Sequence, residues 1–340
     1  MTEYRISLIP GDGIGPELTE ATLTVLKAVQ EKYDLRLNFI EAEAGDTCLS
    51  KRGAALPEDS VEKIRNSHVC LKGPVGETAA DVVVKLRLMF DLYANLRPIK
   101  AYPAAAVARA DIDMFFVREN TEDVYKGLEY SLGDTTLCLR VITRKCCERI
   151  AKKAFEIARM RNGKKKVTAI HKANVMRVTD GLFANICRDI AKQNPDITFS
   201  EMYVDAAAMR LIKEPQNFDV LLTCNMFGDI LSDEAAQLVG GLGMAPGANI
   251  GDEFALFEPI HGSAPNREGK QTANPLSMVL ASKMMLEWLG EKHNDAECLK
   301  AGKAIETAVI KTLQSGGTVP DLGGNATTLG MAQAIAAALV

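Results

Sequence analysis

The stretch Arg5-Ile6-Ser7-Leu8-Ile9-Pro10-Gly11-Asp12-Gly13-Ile14-Gly15-Pro16-Glu17 decides the fold class. Residues 5–10 read as a short buried strand, and a helical pattern follows the glycines to about residue 33. A strand, a glycine-rich turn and a helix in succession open an α/β protein. The glycines are spaced G-x-G-x-G, whereas a dinucleotide-binding turn needs G-x-G-x-x-G, so the chain is not read as a Rossmann fold. Glycines that only allow a tight strand-to-helix turn account for the run equally well.

Strand formers recur at residues 37–42, 69–72, 114–117, 137–142, 167–170, 199–203 and 220–222. Helical patterns fall at 57–67, 81–93, 148–161, 181–192 and 205–213, and two long ones follow at 275–289 and 296–315. This alternation predicts a largely parallel sheet with helical cover. Between residues 238 and 251 the composition shifts to Gly, Ala and Pro.

The 340 residues suffice for one large or two ordinary domains. Hydrophobic residues make up 47% and charged residues 25%, the balance of a packed chain rather than a disordered one. A net charge of −4 and a pI near 5.8 leave no nucleic-acid footprint. No apolar run approaches the roughly 20 residues of a membrane helix. The N-terminus enters a strand pattern at once, with no room for a signal peptide. The eight cysteines are scattered without a C-x-x-C pair, so zinc is not expected and a reduced cytoplasm is the expected setting.

Several residue sets carry chemistry. Asp229 and Asp233 lie four apart at the start of a helical pattern, so both carboxylates face one way. They read either as a helix cap or as half the shell of a hard divalent cation. Asp205 is either a third acid or another cap. Arg87, Arg97 and Arg118 each lie near the end of an element; converging, they clamp carboxylates, and apart they are solvated charges. Lys172 follows a strand, where α/β enzymes place functional groups, and is either a base or a solvated lysine. Tyr125 is a packing residue or an acid. His261 and Arg267 stand in a polar loop suited to a nucleotide or its phosphate.

The runs GDGIGPE at 11–17, DLYANLRP at 91–98, VRENTEDVYKG at 117–127, HKANVM at 171–176, YVDAAAM at 203–209, NMFGDILSDEAA at 225–236, GGLGMAPGANIG at 240–251, FEPIHGSAP at 257–265, ANP at 273–275 and PDLGGN at 320–325 span the chain in order. With them the chain resembles the β-decarboxylating dehydrogenases of the isocitrate and 3-isopropylmalate dehydrogenase family. The run GETAADVVVKLR at 76–87 is shared with archaeal 3-isopropylmalate dehydrogenase-like members.

The resemblance implies the isopropylmalate-dehydrogenase-like two-domain α/β fold. Residues 1–98 and 245–340 would form the large domain. Residues 99–244 would form the small one, with the dimer interface and an arm from about 127 to 141. By similarity, Arg87, Arg97 and Arg118 bind the malate carboxylates, and Asn174 and Val175 lie near nicotinamide and substrate. Tyr125 protonates the enolate carbon. Lys172, reaching in from a second subunit, helps deprotonate the hydroxyl. Asp229 and Asp233, with Asp205 of the other subunit, hold Mg²⁺ or Mn²⁺. The expected assembly is a homodimer with shared sites, acting on a small molecule without nucleic acid or membrane. A catalytically silent regulatory copy would have lost part of this set, and none is lost.

The family's cofactor site maps onto Glu258, His261, Gly262, Ser263, Ala264, Pro265, Asn266 and Arg267, with Asn274 and Asp321 nearby. NAD-using members usually carry an acid followed by Ile where this chain has Asn266-Arg267. The change removes repulsion of a 2′-phosphate and adds a cation, so NADP is expected over NAD. The substrate clues diverge. Val83 and Val84 suit an isopropyl group, and Asp81 would repel a third carboxylate. NADP use and the segment from Arg118 to Asp123 read more like isocitrate enzymes, and Thr78 or Lys85 offers another third-carboxylate contact. The expectation is isocitrate oxidised to 2-oxoglutarate and CO₂, with 3-isopropylmalate as the alternative.

Overall fold

The computed structural model describes residues 3–103 and 109–339. Its elements in chain order are β1 (Glu3–Ile9), α1 (Gly15–Tyr33), β2 (Arg36–Glu41), α2 (Asp46–Arg52), α3 (Glu58–Arg65) and β3 (Val69–Lys72). A five-residue π-turn, Ala80–Val84, then runs into α4 (Lys85–Met89). There follow β4 (Ala94–Lys100), β5 (Asp113–Glu119), β6 (Glu129–Leu132), β7 (Thr135–Cys138), α5 (Arg144–Arg161), β8 (Lys166–His171), α6 (Thr179–Lys192), β9 (Thr198–Tyr203) and α7 (Val204–Lys213). The chain continues through β10 (Val220–Thr223), α8 (Asn225–Gln237), β11 (Pro246–Ile250), β12 (Ala255–Pro259), α9 (Leu276–His293), α10 (Ala296–Gln314) and α11 (Thr328–Leu339).

Ten strands form one sheet in the order β2-β1-β3-β12-β11-β4-β5-β10-β8-β9. The outer strands pair in parallel, as the alternation predicts, but β12–β11, β11–β4 and β4–β5 are antiparallel. Two parallel groups therefore meet at an antiparallel seam. That seam was not legible in the sequence. Pro98, Asn95 and Arg97 disguise β4, because proline and buried polar groups argue against a central strand. The Gly-Ala-Pro composition disguises β11. The helix expected over 81–93 ends at Met89, and Asp91 turns the chain with a φ of +47° before it extends into β4. The strand expected over 137–142 ends at Cys138 as half of an exposed hairpin, β6–β7.

Alternation along the seam strands sorts their side chains. Asn95, Arg97 and Ile99 share one face of β4 and Leu96 lies on the other. Ile99 packs with Met114, Phe116, Leu221 and Leu231 beneath α7 and α8. Leu96 and Val117 join the main core with α1, α5, α9, α10 and α11. Arg97 is thereby held under α8. Gly228 lets the helix come close, because a Cβ there would meet Arg118 Cγ at 2.7 Å and Thr223 Oγ1 at 2.2 Å.

The opening glycine loop serves as a brace. Asp12 accepts hydrogen bonds from the backbone N–H groups of Asp46, Thr47 and Gly76. Ile14 N–H donates to the Ser263 carbonyl at 2.9 Å. Gly13 has a φ of +56°, and a Cβ there would lie 2.2 Å from that same carbonyl. The turn-forming reading of these glycines is what the geometry supports, with the 261–267 loop as the partner.

Candidate active site

The seam brings the three arginines together, all nearly buried. Arg118 and Asn95 are opposite one another in the β4–β5 register, and Arg97 lies two residues on. Arg87 comes from α4, where the last turn delivers it to the same face. Its Nε donates to Asn249 Oδ1 at 2.9 Å and its Nη2 to Glu258 at 3.3 Å. Arg97 Nε donates to Asn95 Oδ1 at 2.8 Å. Asn95 in turn donates to Asn249 Oδ1 at 2.8 Å. One buried amide, Asn249, thus receives Arg87, Asn95 and Asn120 together. A buried charge needs such partners, and the amides fix where each guanidinium points.

Asp229 faces this cluster from α8. It accepts hydrogen bonds from Arg97 Nη2 at 3.0 Å, from Arg118 and from the Tyr125 hydroxyl. Burial works against its charge, but Arg118 and Arg97 outweigh that and hold the carboxyl well below the usual range. Asp233, one turn on, accepts from Arg97 at 3.0 Å. Its carboxyl is pushed up by burial and by the charge of Asp229, against the pull of Arg97. A further cation between the two would relieve that repulsion. The Tyr125 ring lies 5.2 Å from the Arg118 guanidinium. Burial raises its phenol to about 12, so it stays protonated at neutral pH and is a donor.

Lys172 and Asp205 lie together but apart from this group. Lys172 Nζ donates to Asp205 at 2.7 Å. No described hydrogen bond joins either to Tyr125, Asp229 or Asp233. Among the described residues no group of three His, Cys, Asp or Glu is placed to hold a metal ion within one chain. Asn174 and Val175 are exposed beside Lys172, and Val83 is buried on the π-turn before Arg87.

The cofactor-loop residues divide. His261, Gly262, Ala264, Arg267, Asn274 and Asp321 line one crevice of about 580 Å³. Pro265 and Asn266 are exposed at its edge, and Ser263 is buried on the Ile14 brace. Arg267 pairs with Asp321 at 3.0 Å. Glu258 lies with the arginines: it is buried against Lys72 at 2.9 Å and Arg87. The sequence reading missed Lys72, Asn95 and Asn249. A lysine closing the apolar run Val69-Cys70-Leu71 was the one available signal.

Glu258 sets a pH dependence. Burial disfavours its charge, yet Lys72 and Arg87 pull the carboxyl down to about 2. A carboxyl depressed on folding stabilises fully above its unfolded pKa of about 4.3, and the contribution is lost as pH falls toward 2. Glu258→Gln should therefore lower the unfolding midpoint at pH 7 and flatten its fall between pH 5 and pH 2. Equal slopes in urea melts of both proteins would contradict this.

With the geometry in hand, the chain can be set beside known proteins. The family model described as isocitrate/isopropylmalate dehydrogenase matches residues 5–337. The chain belongs to the isocitrate/isopropylmalate dehydrogenase family. It is therefore a decarboxylating dehydrogenase, and the α/β fold expected from its motifs holds, with one large mixed sheet at its centre. The chain is 50% identical to a 3-isopropylmalate dehydrogenase of Sulfurisphaera tokodaii, over 96% of each chain. It is 44% identical to a homoisocitrate dehydrogenase of Methanocaldococcus jannaschii, over 95% of this chain and 94% of the other. The crystal structure of an isocitrate dehydrogenase from Methylococcus capsulatus superposes with a TM-score of 0.92 at 42% identity, covering 99% of each chain. No helix among the described residues is long and apolar enough to cross a membrane.

Proposed function

We propose that this member oxidises 3-isopropylmalate to a 2-oxo acid and CO₂, rather than isocitrate as the sequence clues led us to expect. The observation that carries the reading is the surface near Arg87. Val83 lies there almost buried and Val82 is turned into the core, while Asp81 and Lys85 are exposed. The Thr78 hydroxyl donates to Asp46 at 2.7 Å, so its proton is not free for a third carboxylate. An apolar substituent fits such a surface, and an unpaired carboxylate does not. The greater identity to a 3-isopropylmalate dehydrogenase than to a homoisocitrate dehydrogenase supports it. Purified protein should show a higher kcat/KM on 3-isopropylmalate than on isocitrate or homoisocitrate. The reverse order would reject the choice.

In this reading Arg87, Arg97 and Arg118 bind the substrate carboxylates and fix C2 and C3. Lys172 of a second copy takes up the hydroxyl proton, and a nicotinamide cofactor held by the 261–267 loop would supply the hydride acceptor for C2. Loss of CO₂ leaves an enolate, and Tyr125 delivers the proton to its carbon. Mg²⁺ or Mn²⁺ would be held by Asp229 and Asp233 with Asp205 of a second copy, and would supply Lewis-acid polarisation of the reacting oxygens. The carboxylate pair fits that role, being hard, partly exposed and mutually repelling. A homodimer is proposed accordingly, with the exposed Met209, Ile212, Ile230 and hairpin Leu132 as apolar surface for the second copy. The division into 1–98 with 245–340 and 99–244 is proposed to follow the β4–β5 seam, about which the cleft would close.

NADP is the proposed cofactor. Arg267 would leave Asp321 to meet a 2′-phosphate, and Asn266 presents no charge against it. Asn266→Asp with Arg267→Ile should reverse the ratio of kcat/KM for NADP and NAD by at least about tenfold, the equivalent of one lost phosphate contact. A wild-type preference for NAD would overturn the assignment before any variant is made.

A further inference from the structure

One buried side chain joins the segments that carry Tyr125 and Lys172. Arg140 follows the β6–β7 hairpin and is nearly enclosed. Its Nε donates to Asp123 Oδ1 at 2.6 Å and its Nη2 to Asp123 Oδ2 at 3.1 Å. Its Nη1 donates to Asp180 Oδ1 at 2.5 Å. Both carboxylates are fully buried. The other oxygen of Asp180 accepts the backbone N–H of Lys172 at 2.6 Å. Asp123 accepts the N–H of Val124, next to Tyr125, at 2.9 Å and that of Met226, in the first turn of α8, at 3.1 Å. The guanidinium also lies 4.6 Å from the ring of Phe227.

Asp123 holds φ +75° and ψ −149°, a conformation side chains rarely adopt. That turn sets the direction in which Tyr125 leaves the chain. Its carboxylate is gripped at both oxygens, so the bent turn, the start of α8 and the Lys172 turn are all referenced to one rigid planar cation. A lysine would carry the charge without the fork and could not hold both acids in this geometry.

We propose that Arg140 is a positioning residue that fixes the Tyr125 turn and the Lys172 turn relative to each other. The proposal rests on the roles given above to those two residues. Because Lys172 is assigned to a second copy's reaction and Tyr125 to its own, Arg140 ties together two half-sites that serve different substrates. Its effect falls on the chemical steps rather than on substrate capture, which Arg87, Arg97 and Arg118 perform.

The test uses the full-length protein with Arg140→Lys, Arg140→Gln and Asp180→Asn, each checked for its unfolding midpoint. Steady-state assays follow on 3-isopropylmalate, well below that midpoint. Folded Arg140 variants should keep KM within about threefold while kcat falls roughly 30-fold, since displacements under 1 Å cost up to about 100-fold. Arg140→Lys should match or exceed the stability of Arg140→Gln without regaining kcat. A role limited to neutralising the two acids predicts that Lys restores kcat, and that result would overturn the proposal. So would a kcat within threefold of wild type in any folded Arg140 variant. If both Arg140 variants unfold, Asp180→Asn decides: it cuts only the Lys172 side, and an unchanged kcat there overturns the link. Wild-type protein inactive on all 2-hydroxy acids would instead overturn the functional reading.

Discussion

Asp229→Asn should lower kcat by on the order of 1,000-fold, the upper range for removing one preorganised charge from a reacting centre. Two losses combine. The pair Asp229 and Asp233 drops to one carboxylate, so the concentration of Mg²⁺ or Mn²⁺ needed for activity should rise as well. Arg97 and Arg118, both nearly buried, also lose a shared counter-ion. Loss of a metal carboxylate by itself would place nearly all the cost in turnover. The structure adds a cost in stability, because an amide also turns an N–H₂ group toward guanidinium donors. Removing one partner of a buried ion pair costs about 3–5 kcal/mol. Asp229 is about one-third exposed, so a smaller loss, about 1–3 kcal/mol, is expected. Asp233 is nearly half exposed and holds Arg97 alone, so Asp233→Asn should destabilise less. Activity titrations with Mn²⁺ and thermal melts of both variants check the ordering. Near-normal Mg²⁺-supported turnover by Asp229→Asn would remove the centre of the functional reading.

Tyr125→Phe should reduce kcat by about 100- to 10,000-fold, the range for a general acid. The phenyl ring can keep its stacking on Arg118, so the loss reports the hydroxyl. That hydroxyl contacts Asp229 and donates, since burial keeps it protonated to about pH 12. In the proposed sequence the proton transfer comes after hydride transfer. The variant should therefore still produce a burst of reduced cofactor approaching one equivalent per site, then stall. Rapid-mixing absorbance at 340 nm reads both phases. A variant with no burst would place Tyr125 at the hydride step, and one within tenfold of wild type would exclude it as the acid. Lys172→Met, by contrast, should lose the burst.

Much of the candidate site was legible in the sequence. Helical spacing puts Asp229 and Asp233 on one face, and the motif runs carry the family and, by resemblance, the role expected of the pair. The meaning of single polar residues was less accessible. Glu258, assigned to the cofactor, lies against Lys72 and Arg87, because β12 pairs with β3 and β11 in the sheet. Arg267 was read as free to meet a phosphate, yet Asp321, 54 residues later, holds it. The proposed substrate preference leans on Thr78, whose hydroxyl is committed to Asp46 of α2, 32 residues earlier. Each of these depends on a partner distant in the chain.

Periodicity and turn chemistry were sufficient for the α/β class, and the quoted runs, by resemblance, for the family and the chemical groups it uses. Those properties are local, since they follow from side-chain direction and backbone preference over a few residues. Tertiary structure decided the antiparallel seam, the amide network that aims the arginines, and the pairing of Arg140 with Asp123 and Asp180 on which the proposed tie rests. Burial makes those contacts obligatory: a charge removed from water must find a partner wherever the fold provides one, and nothing in the local pattern names which residue that is.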